Sequence, residues 1–130
     1  FRRVLFRSVS LVYIMIHVHI VVLILVAHFI ADFVCQSDYH AVNKSKSNFV
    51  LFEHVCIYSA IFTLFGLLFP INLFWIIING VLHFLTDYCT SRITSKLWAE
   101  NKKHWFFVTI GFDQLIHYVT LIVSYKLFVS

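Results

Sequence analysis

Charge is what this sequence has least of. Only 12% of its 130 residues are Asp, Glu, Lys or Arg, about half the share of a soluble domain, while 61% are hydrophobic. A soluble monomer is excluded, because too little polar surface is available to clothe a globule of this size. Three glycines and one proline exclude collagen-like and low-complexity chains. The three cysteines, Cys35, Cys56 and Cys89, are odd in number and have no paired spacing, which excludes a disulfide scaffold, a zinc ribbon and a CxxC redox motif. They are expected to serve as small core residues.

The formal charge of +4 points towards nucleic acid only until its origin is traced. Arg2, Arg3 and Arg7 fall within Phe1 to Ser8, FRRVLFRS, which back-translates to the sequencing-adapter sequence TTCAGACGTGTGCTCTTCCGATCT. Residues 1–8 are therefore expected to be an adapter artefact and 9–130 a single domain, with Met15 as the expected start. Without those three arginines, ten basic residues become seven against six acidic ones. No nucleic-acid partner is expected.

What the sequence has in abundance is apolar length. Four stretches, about 11–34, 49–69, 71–88 and 105–128, each reach the roughly 20 residues that cross a bilayer as a helix. The first is too long for a cleavable signal and lacks its small-residue cleavage pattern. The expected fold is all-α, an integral membrane bundle of four transmembrane helices. Six basic residues, Lys44, Lys46, Arg92, Lys96, Lys102 and Lys103, flank one side and Lys126 the other. The positive-inside rule then puts both long connections in the cytoplasm and both termini outside, in a bacterial inner membrane. The third connection, SRITSKLWAENKKHW, reads as ordinary basic flanking. Its interleaved Leu97, Trp98 and Trp105 leave open an amphipathic segment against anionic lipid headgroups. A homodimer is left open.

Within the spans, acids replace the missing cations. Asp32, Glu53, Asp87 and Asp113 would each cost about 2.5–3.5 kcal/mol if ionised and unpaired at a helix centre. His28, His54, His83 and His117 lie one per span. His28/Asp32, His83/Asp87 and Asp113/His117 are four residues apart, so each pair shares a helix face. The hexads HFIADF and HFLTDY, from His28 and His83, repeat one pattern on two spans of the same direction, as in a parallel duplication of a helical hairpin.

Neutral imidazoles and carboxylates on the inward faces of four helices suit one or two divalent transition-metal ions, zinc, iron or manganese. The candidate ligands are His28, Asp32, His54, His83, Asp87, Asp113 and His117. Gln36, Asn79 and Gln114 are expected to orient them by hydrogen bonds, and Glu53 is the candidate catalytic general base. His17 and His19 are expected at the interface or towards lipid. Tyr58 and Tyr118 are expected in the aromatic core, with hydrogen bonding to the site as the alternative. Two functions stay open: a metal-dependent hydrolase acting on a lipid or membrane-embedded substrate, and a non-enzymatic proton or ion relay or interaction protein built on the same pairs.

The segments AHFIADFVCQSD, NKSKSN, HFLTDYCTSRITSKLW and HWFFVTIGFDQLIHY together resemble the family known as domain of unknown function 3307, over about Ile24 to Tyr118. Cys35 departs from it, standing where a larger aliphatic residue is expected. The resemblance implies a small bacterial or phage membrane protein and groups His28, Asp32, Gln36, His54, His83, Asp87, Asp113, Gln114 and His117. It implies no reaction. A fainter similarity is to inner-membrane proteins described as metal-dependent hydrolases, an analogy of fold.

Overall fold

In a computed structural model the backbone is described for residues 2–129 and the side chains for Met15 and residues 17–129. The side chains of residues 1–8, on which the adapter expectation falls, lie outside the described residues. Five α-helices follow one another: α1 (Arg2–Phe29), α2 (Asp38–Asn43), α3 (Asn48–Phe65), α4 (Leu73–Ala99) and α5 (Lys103–Phe128). No strand occurs among the described residues. α1 runs on through a π-helical segment, Ile30–Val34, closed by the Cys35 N–H donating to the Ile30 carbonyl at 2.8 Å.

Short polar residues set the helix starts. Ser37 and Ser47 accept from the backbone N–H three residues on, at the heads of α2 and α3, each satisfying an orphan donor of the first turn. Asn72 caps α4 by accepting from Trp75 N–H at 2.8 Å, while its Nδ2 donates to the Phe128 carbonyl at 2.9 Å. One side chain thereby starts α4 and ties down the end of α5.

Residues Ser91 to Ala99 continue α4 as helix, the amphipathic alternative left open for this stretch, where ordinary polar flanking was the first expectation. The segment holds no Gly or Pro to stop α4. Its polar side chains turn back on the backbone instead, with Thr94 Oγ1 donating to Ser91 O at 3.0 Å and Arg92 to Tyr88 O at 2.8 Å. The stop comes at Asn101, in the left-handed region with φ 55°, where Asn is better tolerated than most residues. Lys102 N–H reaches Leu97 O at 2.9 Å and Asn101 N–H reaches Trp98 O at 3.0 Å, the paired bonds of a Schellman turn. The 27 residues of α4 are about 40 Å long at 1.5 Å per residue, roughly 10 Å more than the hydrocarbon core.

Four helical segments, His17–Val34, Asn48–Phe65, Leu73–Ala99 and Lys103–Phe128, are long and apolar enough to span a membrane, and the chain is a multi-pass membrane protein. α1 and α4 each pack against both α3 and α5, while among the described residues no close backbone approach joins α1 to α4 or α3 to α5. The four therefore close into a ring with α1 and α4 on one diagonal. Their outer faces carry exposed Val22, Val26, Phe29, Phe52, Ile77, Val81, Leu115 and Val119, a lipid-facing coat. Inside, Ile24, Ala27, Tyr58, Phe62, Trp75 and Leu121 form an apolar core, next to a layer of buried His and Asp.

The cysteines correct an expectation. Cys56 and Cys89 are exposed and Cys35 is half-buried, so none is a core residue. In a bilayer the outside is as apolar as the inside, and an apolar run no longer tells which face is buried.

Candidate metal centre

The three intrahelical pairs meet at the middle of the ring. Within a helix they remain loose: His28 to Asp32, His83 to Asp87 and His117 to Asp113 are 3.7, 3.6 and 3.5 Å apart, too long for good hydrogen bonds. Closer approaches run between helices. His54 Nε2 lies 3.1 Å from Asp32 Oδ1 and 3.1 Å from His83 Nε2. His117 Nε2 lies 3.2 Å from Asp87 Oδ1. One donor atom each from Asp32, His54, His83 and Asp87 all fall within 4.8 Å of one another, and the same holds for Asp32, Asp113 and His117. Asp32 belongs to both groups. The π-helical segment that carries Asp32 is of a kind frequent at functional sites.

Two imidazole nitrogens at 3.1 Å cannot both bear a proton, and two lone pairs that close repel. One Nε2–H donating to the other ring nitrogen satisfies this contact, and a metal ion between the two would satisfy it as well. Charge favours a cation. Three carboxylates, Asp32, Asp87 and Asp113, face one ammonium, that of Lys44, and buried carboxylates need compensation.

His28, expected as a ligand, is turned to another task. The Gln114 amide sits between two carboxylates, Nε2 lying 3.0 Å from both Asp32 Oδ2 and Asp113 Oδ2. Only the NH₂ end suits that position. Its Oε1 therefore faces His28 Nε2 at 2.9 Å, which must carry the proton, and His28 Nδ1 accepts from the Tyr58 hydroxyl at 3.2 Å. His28 is fully buried with both nitrogens engaged. It fixes Gln114, and Gln114 fixes Asp32 and Asp113.

Tyr58 does both things considered for it. Besides its hydroxyl bond, its ring stacks on His83 at 4.0 Å, and His117 stacks on the other face of His83 at 4.2 Å. Tyr118 meets the His28 ring edge-on at 5.0 Å.

Among the remaining expected site residues, Asn79 is buried away from the histidines, its Nδ2 donating to Trp75 O and Ser124 Oγ, both at 2.9 Å. Gln36 has a buried Oε1 without a hydrogen-bond partner among the described residues. Glu53 is half-buried and is not one of the carboxylates grouped with the histidines. The adjacent His54 points inward, and a step of one residue turns Glu53 about 100° away. His17 is half-buried and His19 exposed.

Two contributors escaped the sequence reading. Lys44, from the connection after α2, donates to Asp87 Oδ2 at 2.7 Å with only 15% of its side chain exposed. Burial works against its charge, but Asp87, Asp32 and Asp113 outweigh this and raise its pKa above the ordinary lysine value. No periodicity marks a loop residue that folds back onto a helix. Thr90 Oγ1 donates to Asp113 at 2.5 Å, and its place three residues after Asp87, on the same face, was a readable signal.

A cavity of about 700 Å³ opens onto the centre. Its floor includes Asp32, Asp87, Asp113 and Gln114, and Lys44, Ser91, Trp98 and Phe107 stand on its walls. The histidines do not line it, so the centre is reached through its carboxylates.

The family model described as Protein of unknown function (DUF3307) matches residues 20–130, and the chain belongs to that family. Neither a curated protein nor a solved structure matches it.

Proposed function

We propose that this member of the DUF3307 family holds a divalent transition-metal ion between Asp32, His54, His83 and Asp87 and hydrolyses a membrane-embedded ester, with the centre in the cytoplasmic leaflet of a bacterial inner membrane. One observation carries the reading: two imidazole nitrogens and two carboxylates from three separate stretches of chain converge within 4.8 Å, in a buried pocket rich in carboxylates. A divalent ion would offset the excess of carboxylates. The mixed nitrogen and oxygen donors suit zinc, iron or manganese. Bound there, such an ion would activate water at neutral pH.

The chain's own residues supply the rest. Asp32 offers Oδ1 to the histidine side while Gln114 holds its Oδ2. Asp113 keeps 13% of its side chain exposed and lines the cavity. It is better placed than Glu53 to accept a proton from water entering there. His117 lies between Asp113 and Asp87 and supports both.

The test is metal content by mass spectrometry on detergent-purified protein, beside Asp87→Asn. The expected result is about one equivalent in the wild type and a loss of at least tenfold in the variant. A folded wild type without metal would remove the hydrolase reading. It would favour a proton relay, which the close contacts from Asp32 to His54 and from His54 to His83 would serve.

A further inference from the structure

The cavity has a second character that the metal centre leaves unused. From Asp87 outward, α4 presents Ser91, Thr94, Ser95 and Trp98 to it, at steps of four, three, one and three residues that keep one helix face. This face lies towards the C-terminal end of α4. Facing it, Lys44 and Lys46 contribute ammonium groups, and Phe106, Phe107 and Ile110 make the wall on α5. Ser91 Oγ and Gln36 Oε1 are buried atoms with no hydrogen-bond partner among the described residues, and both residues line the cavity. Unmet polar atoms of this kind are costly. The Ser91 hydroxyl can donate to an anion placed in this space of about 700 Å³.

We infer that the cavity is the binding site for an amphiphile with a phosphate headgroup, its phosphate held between the Lys44 and Lys46 ammoniums and the Ser91 hydroxyl, and its chain laid against Trp98 and Phe107. The inference rests on the metal reading, since the three floor carboxylates would repel an anion unless a cation balances them. Cationic donors with hydroxyls select a phosphate, and the aromatic wall selects a lipid over free phosphate. A metal ion that takes Asp87 Oδ2 competes with Lys44 for that oxygen and leaves the ammonium to the headgroup.

Native mass spectrometry of the detergent-purified full chain tests this, with metal content measured on the same samples. The probes are 12-carbon lysophosphatidic acid, glycerol 3-phosphate and dodecyltrimethylammonium. The metal-loaded wild type is expected to retain one lysophosphatidic acid. Glycerol 3-phosphate at tenfold excess should not displace it. Ser91→Leu, which fills the cavity, and Lys46→Glu, an exposed site that packing does not need, should each reduce retention at least tenfold with metal content unchanged. Metal-loaded protein that retains no lipid, or whose variants retain it as the wild type does, overturns the inference and leaves the centre standing. Displacement by glycerol 3-phosphate overturns the lipid assignment, and stronger retention of the cationic amphiphile overturns the phosphate. Protein that holds no metal overturns the centre and this inference together.

Discussion

Lys44 and Gln114 decide how the buried acids are tolerated. Lys44 donates to the same Asp87 oxygen that faces His54 and His83 at 3.5 and 3.6 Å, so ammonium and metal ion compete for it. Two unit charges about 4 Å apart interact by about 4 kcal/mol at an effective dielectric of 20. Even a third of that, near the 1.4 kcal/mol of a tenfold change, is measurable. Lys44→Met is expected to tighten divalent-metal binding by about tenfold, read by competition with a chelator; unchanged or weaker binding would show that Lys44 does not oppose the metal. Gln114→Leu leaves the His28 N–H and two carboxylates without their partner. It should lower stability by about 1–3 kcal/mol, seen as a lower melting temperature in detergent. Glu53→Gln, by contrast, should leave metal content unchanged, and a loss of metal there would return Glu53 to the centre.

Between elements, the centre depends on how closely α3 approaches α4. Gly80 makes this approach possible: a Cβ there would meet Ser59 Oγ at 3.0 Å, and small residues are what allow helices to close in a membrane. Gly80→Leu touches no candidate ligand, yet it should push His54 away from His83 and reduce metal retention several-fold; full retention would mean that the helix spacing is set elsewhere. The α4–α5 turn has its own test. Asn101 pays the left-handed strain that glycine avoids, so Asn101→Gly should hold or raise the melting temperature. Asn101→Val should cost about 1–2 kcal/mol.

At the scale of the whole molecule, the apolar coat carries the claim that the bundle sits in a bilayer. Cys56 lies exposed among Phe52 and the other outward residues of α3, where hydrocarbon keeps water and a water-soluble reagent out. In intact proteoliposomes it should resist a water-soluble maleimide and react once the protein is denatured in detergent. Rapid labelling before denaturation would place that face in water.

Much of this was legible before any coordinates. Apolar length established four membrane helices. The i, i+4 spacing put His28 with Asp32, His83 with Asp87 and Asp113 with His117, because a helix face is a local property that the chain carries wherever the helix goes. The sequence also required compensation for the acids, since a carboxylate's desolvation cost depends on its type and its depth. Tertiary structure alone decided which atoms meet. It engaged both His28 nitrogens in hydrogen bonds to Gln114 and Tyr58, brought Lys44 back from a connection and left Glu53 outside the grouped carboxylates. It also put Cys56 on the lipid side. These outcomes depend on helix rotation and on loop paths, and a coat as apolar as the core leaves no hydrophobic pattern from which either can be read.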